Sequence, residues 1–133
     1  MMWCLVLAVA LVTGLPAAHA QGLVAAASIS RSLTSTNAFT AVSRGSRVFT
    51  VFVQNTSASD LWLHVYDATS TPANNSRPSL SPIKILAGAG GGYDFGSYGA
   101  PMGTGVTVCT STTDLTLTNT TASFDVTVIY TPR

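Results

Sequence analysis

Charge is what this sequence has least of. Of its 133 residues only 8% are ionic, against about 25% in a typical soluble chain. The acids are five Asp (Asp60, Asp67, Asp94, Asp114, Asp125) with no Glu, and Lys84 is the single Lys beside five Arg. Nucleic-acid binding calls for a basic stripe, and Arg44 with Arg47 is the only close basic pair, so that partner class is set aside. Cysteine is scarce too. Cys4 and Cys109 are the two present, which leaves no disulfide framework if the N-terminal segment is removed. Cys109 then reads as a small buried apolar residue. Histidine is limited to His19 and His64. A serine or cysteine nucleophile would have to take His64 as its base, and Asp67, three positions on, would point to the other side of a strand.

Other absences narrow the chemistry further. Zinc would need several Cys or His ligands, and calcium would need clustered oxygens, but no two Asp stand in a D-x-D pattern. The run Gly88-Ala89-Gly90-Gly91-Gly92-Tyr93 lacks the Lys-Ser/Thr of a phosphate loop and no helix pattern follows it. It reads as a mobile loop whose glycines supply positive φ. No catalytic, cofactor or metal residues are therefore assigned, and the expectation is a protein that is not an enzyme.

The first twenty residues form a separate unit. Leu5 to Val12 is a short apolar run, Gly14 and Pro16 break it, and Ala18-His19-Ala20 places small residues before Gln21. This is the pattern of a secretory signal peptide, too short to span a bilayer comfortably. The expected location is secreted, extracellular or on a virion surface, with no stable membrane span once the leader has gone. Residues 21–133 are long enough for one domain, expected as an N-terminal arm or first strand over 21–46 and a core over 47–133.

What the chain has instead is hydroxyl groups. Ser and Thr fill 33 of the 113 positions after residue 20, which favours strands and turns over helices. Strands are expected over 23–32, 47–55, 60–67, 83–87, 93–95, 104–111, 114–119 and 123–131, with long loops over 68–82 and 96–103. Side chains alternate with a period of two along a strand. That rule puts Phe49, Val51 and Val53 on one face of 47–55, opposite Val48, Thr50 and Phe52. It puts Leu61, Leu63 and Val65 inward on the next strand and Trp62, His64 and Tyr66 outward. Leu115 and Leu117 are expected inward, as are Phe124, Val126, Val128 and Tyr130. No segment keeps a period of 3.6. The fold class predicted is all-β: an antiparallel β-sandwich, jelly-roll or Ig-like, of seven to eight strands.

The candidate contact residues are aromatic. Trp62, His64 and Tyr66 share a strand face and form either a platform for a sugar or protein partner, or a set of rings under a loop or neighbouring subunit. Tyr93, Phe95 and Tyr98 form a second candidate tip. Three Asn-x-Ser/Thr sequons, at Asn55, Asn74 and Asn119, fall in turns or loops where glycans would fit.

Several segments resemble small β-sandwich proteins encoded in the structural regions of bacteriophages and prophages. They are Val53-Gln54-Asn55-Thr56, then Asp60 to Ala68 (DLWLHVYDA), Pro72-Ala73-Asn74, Gly105 to Thr113 (GVTVCTSTT) and the closing strand Phe124 to Tyr130. The resemblance implies a virion accessory component of decoration or fibre type and carries no functional residues with it. Together with the near-neutral surface, which repels its own copies weakly, it implies a non-enzymatic structural or adhesive subunit. The expected partners are copies of itself, other assembly subunits, or surface glycans bound as by a secreted carbohydrate-binding module.

Overall fold

The computed structural model describes residues 27–118, 120, 122 and 124–133. The leader over 1–20 and the sequon at Asn119 lie outside the described residues. Among the described residues nine strands follow one another: β1 (Ser28–Thr36), β2 (Ala38–Val42), β3 (Ser46–Asn55), β4 (Leu61–Tyr66), β5 (Ile83–Ile85), β6 (Gly90–Asp94), β7 (Ala100–Met102), β8 (Val106–Ser111) and β9 (Phe124–Pro132). A single 3₁₀ turn, Gly96–Tyr98, joins β6 to β7.

The strands form two antiparallel sheets packed face to face, so the all-β sandwich expected from the alternation is what the chain adopts. One sheet runs β1-β9-β3-β6, with β7 beside the start of β3, and the other runs β2-β8-β4-β5. The pairing is nested: β1 with β9, β2 with β8, β3 with β6 and β7, β4 with β5. Nested antiparallel pairing of this kind, divided between a five-stranded and a four-stranded layer, is a jelly roll rather than the ABED/CFG arrangement of an Ig domain. Because β1 and β2 supply one strand to each sheet, residues 28–42 belong to the sandwich itself and are not an arm outside it.

The core lies between the layers. Val48, Val51, Val53, Leu63, Val65, Val106, Val108, Phe124, Val126 and Val128 are all at most 2% exposed and form its centre. Tyr130 packs against it half-buried. The inward set of β4 and that of β9 are as the alternation predicts. On β3 the pattern breaks: Val48 and Val51 both face the core, although strict alternation separates them. The ladder to β9 slips between Val48 and Thr50, a β-bulge that spends Phe49 as the extra residue and resets the faces. Val48 therefore joins the inward set, and Phe49 leaves it.

Three further expectations are corrected. The glycine run is a strand over most of its length, and only Gly88 within it has positive φ, +69°. Glycine is needed there for space. A Cβ at Gly91 would come within 2.5 Å of Ile85 Cδ1, and one at Gly92 within 1.9 Å of the Val51 carbonyl oxygen. The segment 96–103, read as loop, contains the 3₁₀ turn and β7. The segment read as a strand over 114–119 joins neither sheet over its described residues 114–118; its Leu117 bonds instead to the long loop at Asn75 and Ser76. Its two leucines separate accordingly: Leu117 is buried at 1% exposure and Leu115 projects at 68%.

Candidate interaction surface

The outer faces of the two sheets differ. On the β2-β8-β4-β5 sheet, the cross-strand register sets Tyr66 beside Thr107, His64 beside Cys109 and Trp62 beside Ser111, all pointing outward. The chain covers this face with its own loops. Leu117 packs on Tyr66 and Cys109, with Ala38 and Ala68 at the margin. Two backbone bonds, Asn75 N–H to the Leu117 carbonyl and Leu117 N–H to the Ser76 carbonyl (both 2.8 Å), join the loop over 67–82 to that over 112–118. Ser111 Oγ donates to the Thr116 carbonyl and accepts from the Thr113 and Thr118 N–H groups.

Of the two readings of Trp62, His64 and Tyr66, rings lying under a loop is the one that His64 and Tyr66 follow. His64 is 0% exposed and Tyr66 is 4% exposed; only Trp62 is half-buried. The Tyr66 hydroxyl donates to the Ser76 carbonyl (3.2 Å) and lies 3.1 Å from His64 Nδ1, while His64 Nε2 is buried without a hydrogen-bond partner among the described residues. Burial pushes the His64 pKa down, although the backbone of Thr113 and Asp114 and the Asp114 charge favour the protonated form. Burial raises the Tyr66 phenol and the Cys109 thiol to about 12 each. A thiol held that far from its thiolate is no nucleophile at neutral pH, so the Cys109–His64 neighbours form a packed pair.

The second aromatic group also divides. Tyr93 and Phe95 stack with ring centroids 5.5 Å apart and pack against the core at the edge where β6 meets β5. The Tyr93 hydroxyl donates to the Ser81 carbonyl, tying that edge to the long loop. Tyr98 alone stands out, 84% exposed. The sequons divide as well. Asn55 is 1% exposed, and its Nδ2 donates to the Ser59, Ile85 and Leu86 carbonyls while Oδ1 accepts from Ser57. A glycan cannot occupy that amide in the folded chain. Asn74 is exposed.

Asp67, at the end of β4, accepts three backbone bonds, from Gly103 (2.8 Å), Thr104 (2.7 Å) and Gly105 (3.1 Å). Burial would raise its pKa, but these bonds outweigh it and hold the carboxyl below its usual range. The carboxylate is thus a clip for the turn into β8. Sequence reasoning placed Asp67 at a strand end but had no signal for the distant turn that it holds. Among the described residues no group of three His, Cys, Asp or Glu side chains gathers where a metal could be held. An open hollow of about 310 Å³ lies between residues 77–82 and Leu115, at the seam of the two covering loops.

Among the described residues, none covers the central rows of the outer face of the β1-β9-β3-β6 sheet. Ile29, Ile129, Thr50 and Asp94 form one row across the strands, and Arg31, Thr127, Phe52 and Gly92 form the next. Asp125, Gln54 and Gly90 continue the pattern on β9, β3 and β6. β1 is turned against the usual rule. Ser28 and Ser30 pair with the inward Tyr130 and Val128, while Ile29 and Leu33 are 67% and 61% exposed. Phe52 is 47% exposed beside them, leaning over Gly90, where a Cβ would meet its ring at 2.7 Å. Sequence periodicity found the strands but not this inversion, because alternation does not say which face is which. Searches of protein-family models, curated proteins and solved structures found no match to the chain.

Proposed function

We propose that the chain is a non-enzymatic structural subunit, exported and repeated in an extracellular or virion-surface assembly, acting by the surface it presents. The observation that carries this reading is the unequal dressing of the two sheets. Two loops cover the β2-β8-β4-β5 sheet, whereas among the described residues none covers the other sheet, where Ile29, Leu33 and Phe52 face outward. Exposed apolar side chains grouped on a flat sheet face are the mark of a surface meant to be covered by another molecule. The low ionic content supports close packing of copies, since little like-charge repulsion opposes it. Jelly rolls serve in viral capsids among other settings, and the resemblance to phage structural proteins points the same way.

Light scattering on the purified chain, from micromolar to millimolar concentration, tests the reading. Masses above that of a monomer are expected as concentration rises. A monomer mass throughout overturns it.

A further inference from the structure

The bare sheet face has a relief and a charge pattern that suit one particular occupant. Its β1 side is a ridge made by Ile29, Arg31 and Leu33. Its β6 side is only a shallow hollow over Gly92, which carries no side chain; at Gly90 the Phe52 ring and the Gln54 amide take the space a side chain would have. Phe52 forms one wall of the hollow, and Asp94, paired across from Thr50, closes its end. The charges are divided in the same way, with Arg31 on the ridge and Asp94 beside the hollow. Among the described residues the one ion pair is Lys84–Asp60, at 3.0 Å, so neither Arg31 nor Asp94 is paired with an opposite charge among them.

We propose that this face pairs with the same face of a second copy, about a two-fold axis running along the strands between β9 and β3. The inference rests on the assembly reading above and names its partner and its contact. A two-fold axis in that place lays β1 of each copy over β6 of the other and β9 over β3. A contact of this kind must be self-complementary, with each feature meeting its opposite across the axis. Here the Arg31 stem crosses Gly92 beside the Phe52 ring, and its guanidinium reaches the Asp94 carboxylate one row along, where Ile29 also falls. Arg suits this position because it stacks on an aromatic face while its donors reach an acid. Thr127 falls over Phe52, Ile129 over Thr50, and Asp125 over the Gln54 amide. The symmetry makes every one of these contacts twice. It also explains why β1 faces its serines inward and its aliphatic side chains out.

The test is sedimentation velocity of the full chain beside three variants, Arg31→Glu, Thr127→Arg and Arg31→Asp combined with Asp94→Arg, each checked by circular dichroism for the native β spectrum. The wild-type chain is expected to dimerise. The first two variants should weaken dimerisation at least tenfold, one through charge and one through bulk at the centre of the face. The charge swap should restore most of it. Thr127→Arg does not disturb the Asp94 carboxylate, which also accepts from Gly96 N–H, so it stands if the swap misfolds. Association left unaltered by Arg31→Glu and Thr127→Arg overturns this face and leaves the assembly reading standing. A wild-type chain that stays monomeric at every concentration overturns both.

Discussion

His64 and Cys109 face each other across the β4–β8 ladder, side by side on the outer side of their sheet and both sealed from solvent. Burial makes the His64 imidazole resist protonation by more than the nearby Thr113 and Asp114 backbone favours it, and that makes the fold sensitive to mild acid. An unfolded His takes its proton near pH 6.5, whereas the folded His64 takes it at lower pH. Between those two points the unfolded chain binds more protons, so stability falls as pH drops below about 6.5. Tyr66 and Cys109, both raised to about 12, stay neutral in this range. Asp60 and Asp67 begin to matter only near pH 4, the range of an unfolded Asp. The melting temperature should therefore decline from pH 7 to pH 5, and in His64→Gln the curve should be flatter over that window. Parallel curves for the two proteins would show that protonation of His64 carries no cost.

The thiol in the same pair should be inert. With its pKa raised to about 12, Cys109 offers almost no thiolate at pH 8. In a Cys4→Ser chain, a thiol reagent should label Cys109 slowly in the native protein and within minutes in denaturant. Replacing it with Ser should cost about 1–3 kcal/mol, because a hydroxyl there needs a bond that the packing against Leu117 and Tyr66 does not supply. Fast native labelling would mean that the loops over this face open readily.

Leu115 and Leu117 separate two readings of one segment. As a strand, 114–119 would bury both; as a covering loop it buries one. Leu117→Ala should cost about 2–5 kcal/mol, the usual range for a leucine deleted from a core. Leu115→Ala should stay within about 0.5 kcal/mol of the parent. Equal losses, measured by urea denaturation, would restore the strand.

That segment also shows what periodicity can and cannot reveal. β9 was legible because Phe124, Val126 and Val128 alternate with Asp125 and Thr127, and β4 because Leu61, Leu63 and Val65 form one aliphatic face; both have partners on each edge. Residues 114–118 carry a similar alternation, but their backbone bonds go to the long loop and to Ser111 and not to a strand, which no residue pattern reveals. β6 escaped for the opposite reason: glycine has no side chain to alternate, so Gly90–Gly92 reads as loop while space at Ile85, Phe52 and Val51 selects it as strand. Pro101 hid β7 in a similar way. The candidate aromatic residues were found as residues, but their exposure depended on loops with no periodic signal. The inverted face of β1 depended on its register with β9.

Asp67 allows a last test, of how the loops are held in place. Its carboxylate is the acceptor for three successive N–H groups, Gly103 to Gly105, at the turn that leads into β8. Asp67→Ala leaves those donors to find water, and partial exposure of the site keeps the penalty to about 1–2 kcal/mol. The pH signature has the opposite form to that of His64. The folded carboxyl titrates below the unfolded one, so its stabilisation is present above about pH 4, the unfolded value, and is lost as pH falls through the folded pKa. Asp67→Asn keeps one acceptor oxygen and should lose less stability than Asp67→Ala at pH 7, while no longer weakening between pH 4 and 2 as the parent does. Asp60, bonded to Lys84 and to the Ala87 N–H, also titrates low, but it is fully solvated and adds little there. If Asp67→Ala melts with the parent at pH 7, the turn into β8 is held by its own backbone, and the carboxylate merely rests upon it.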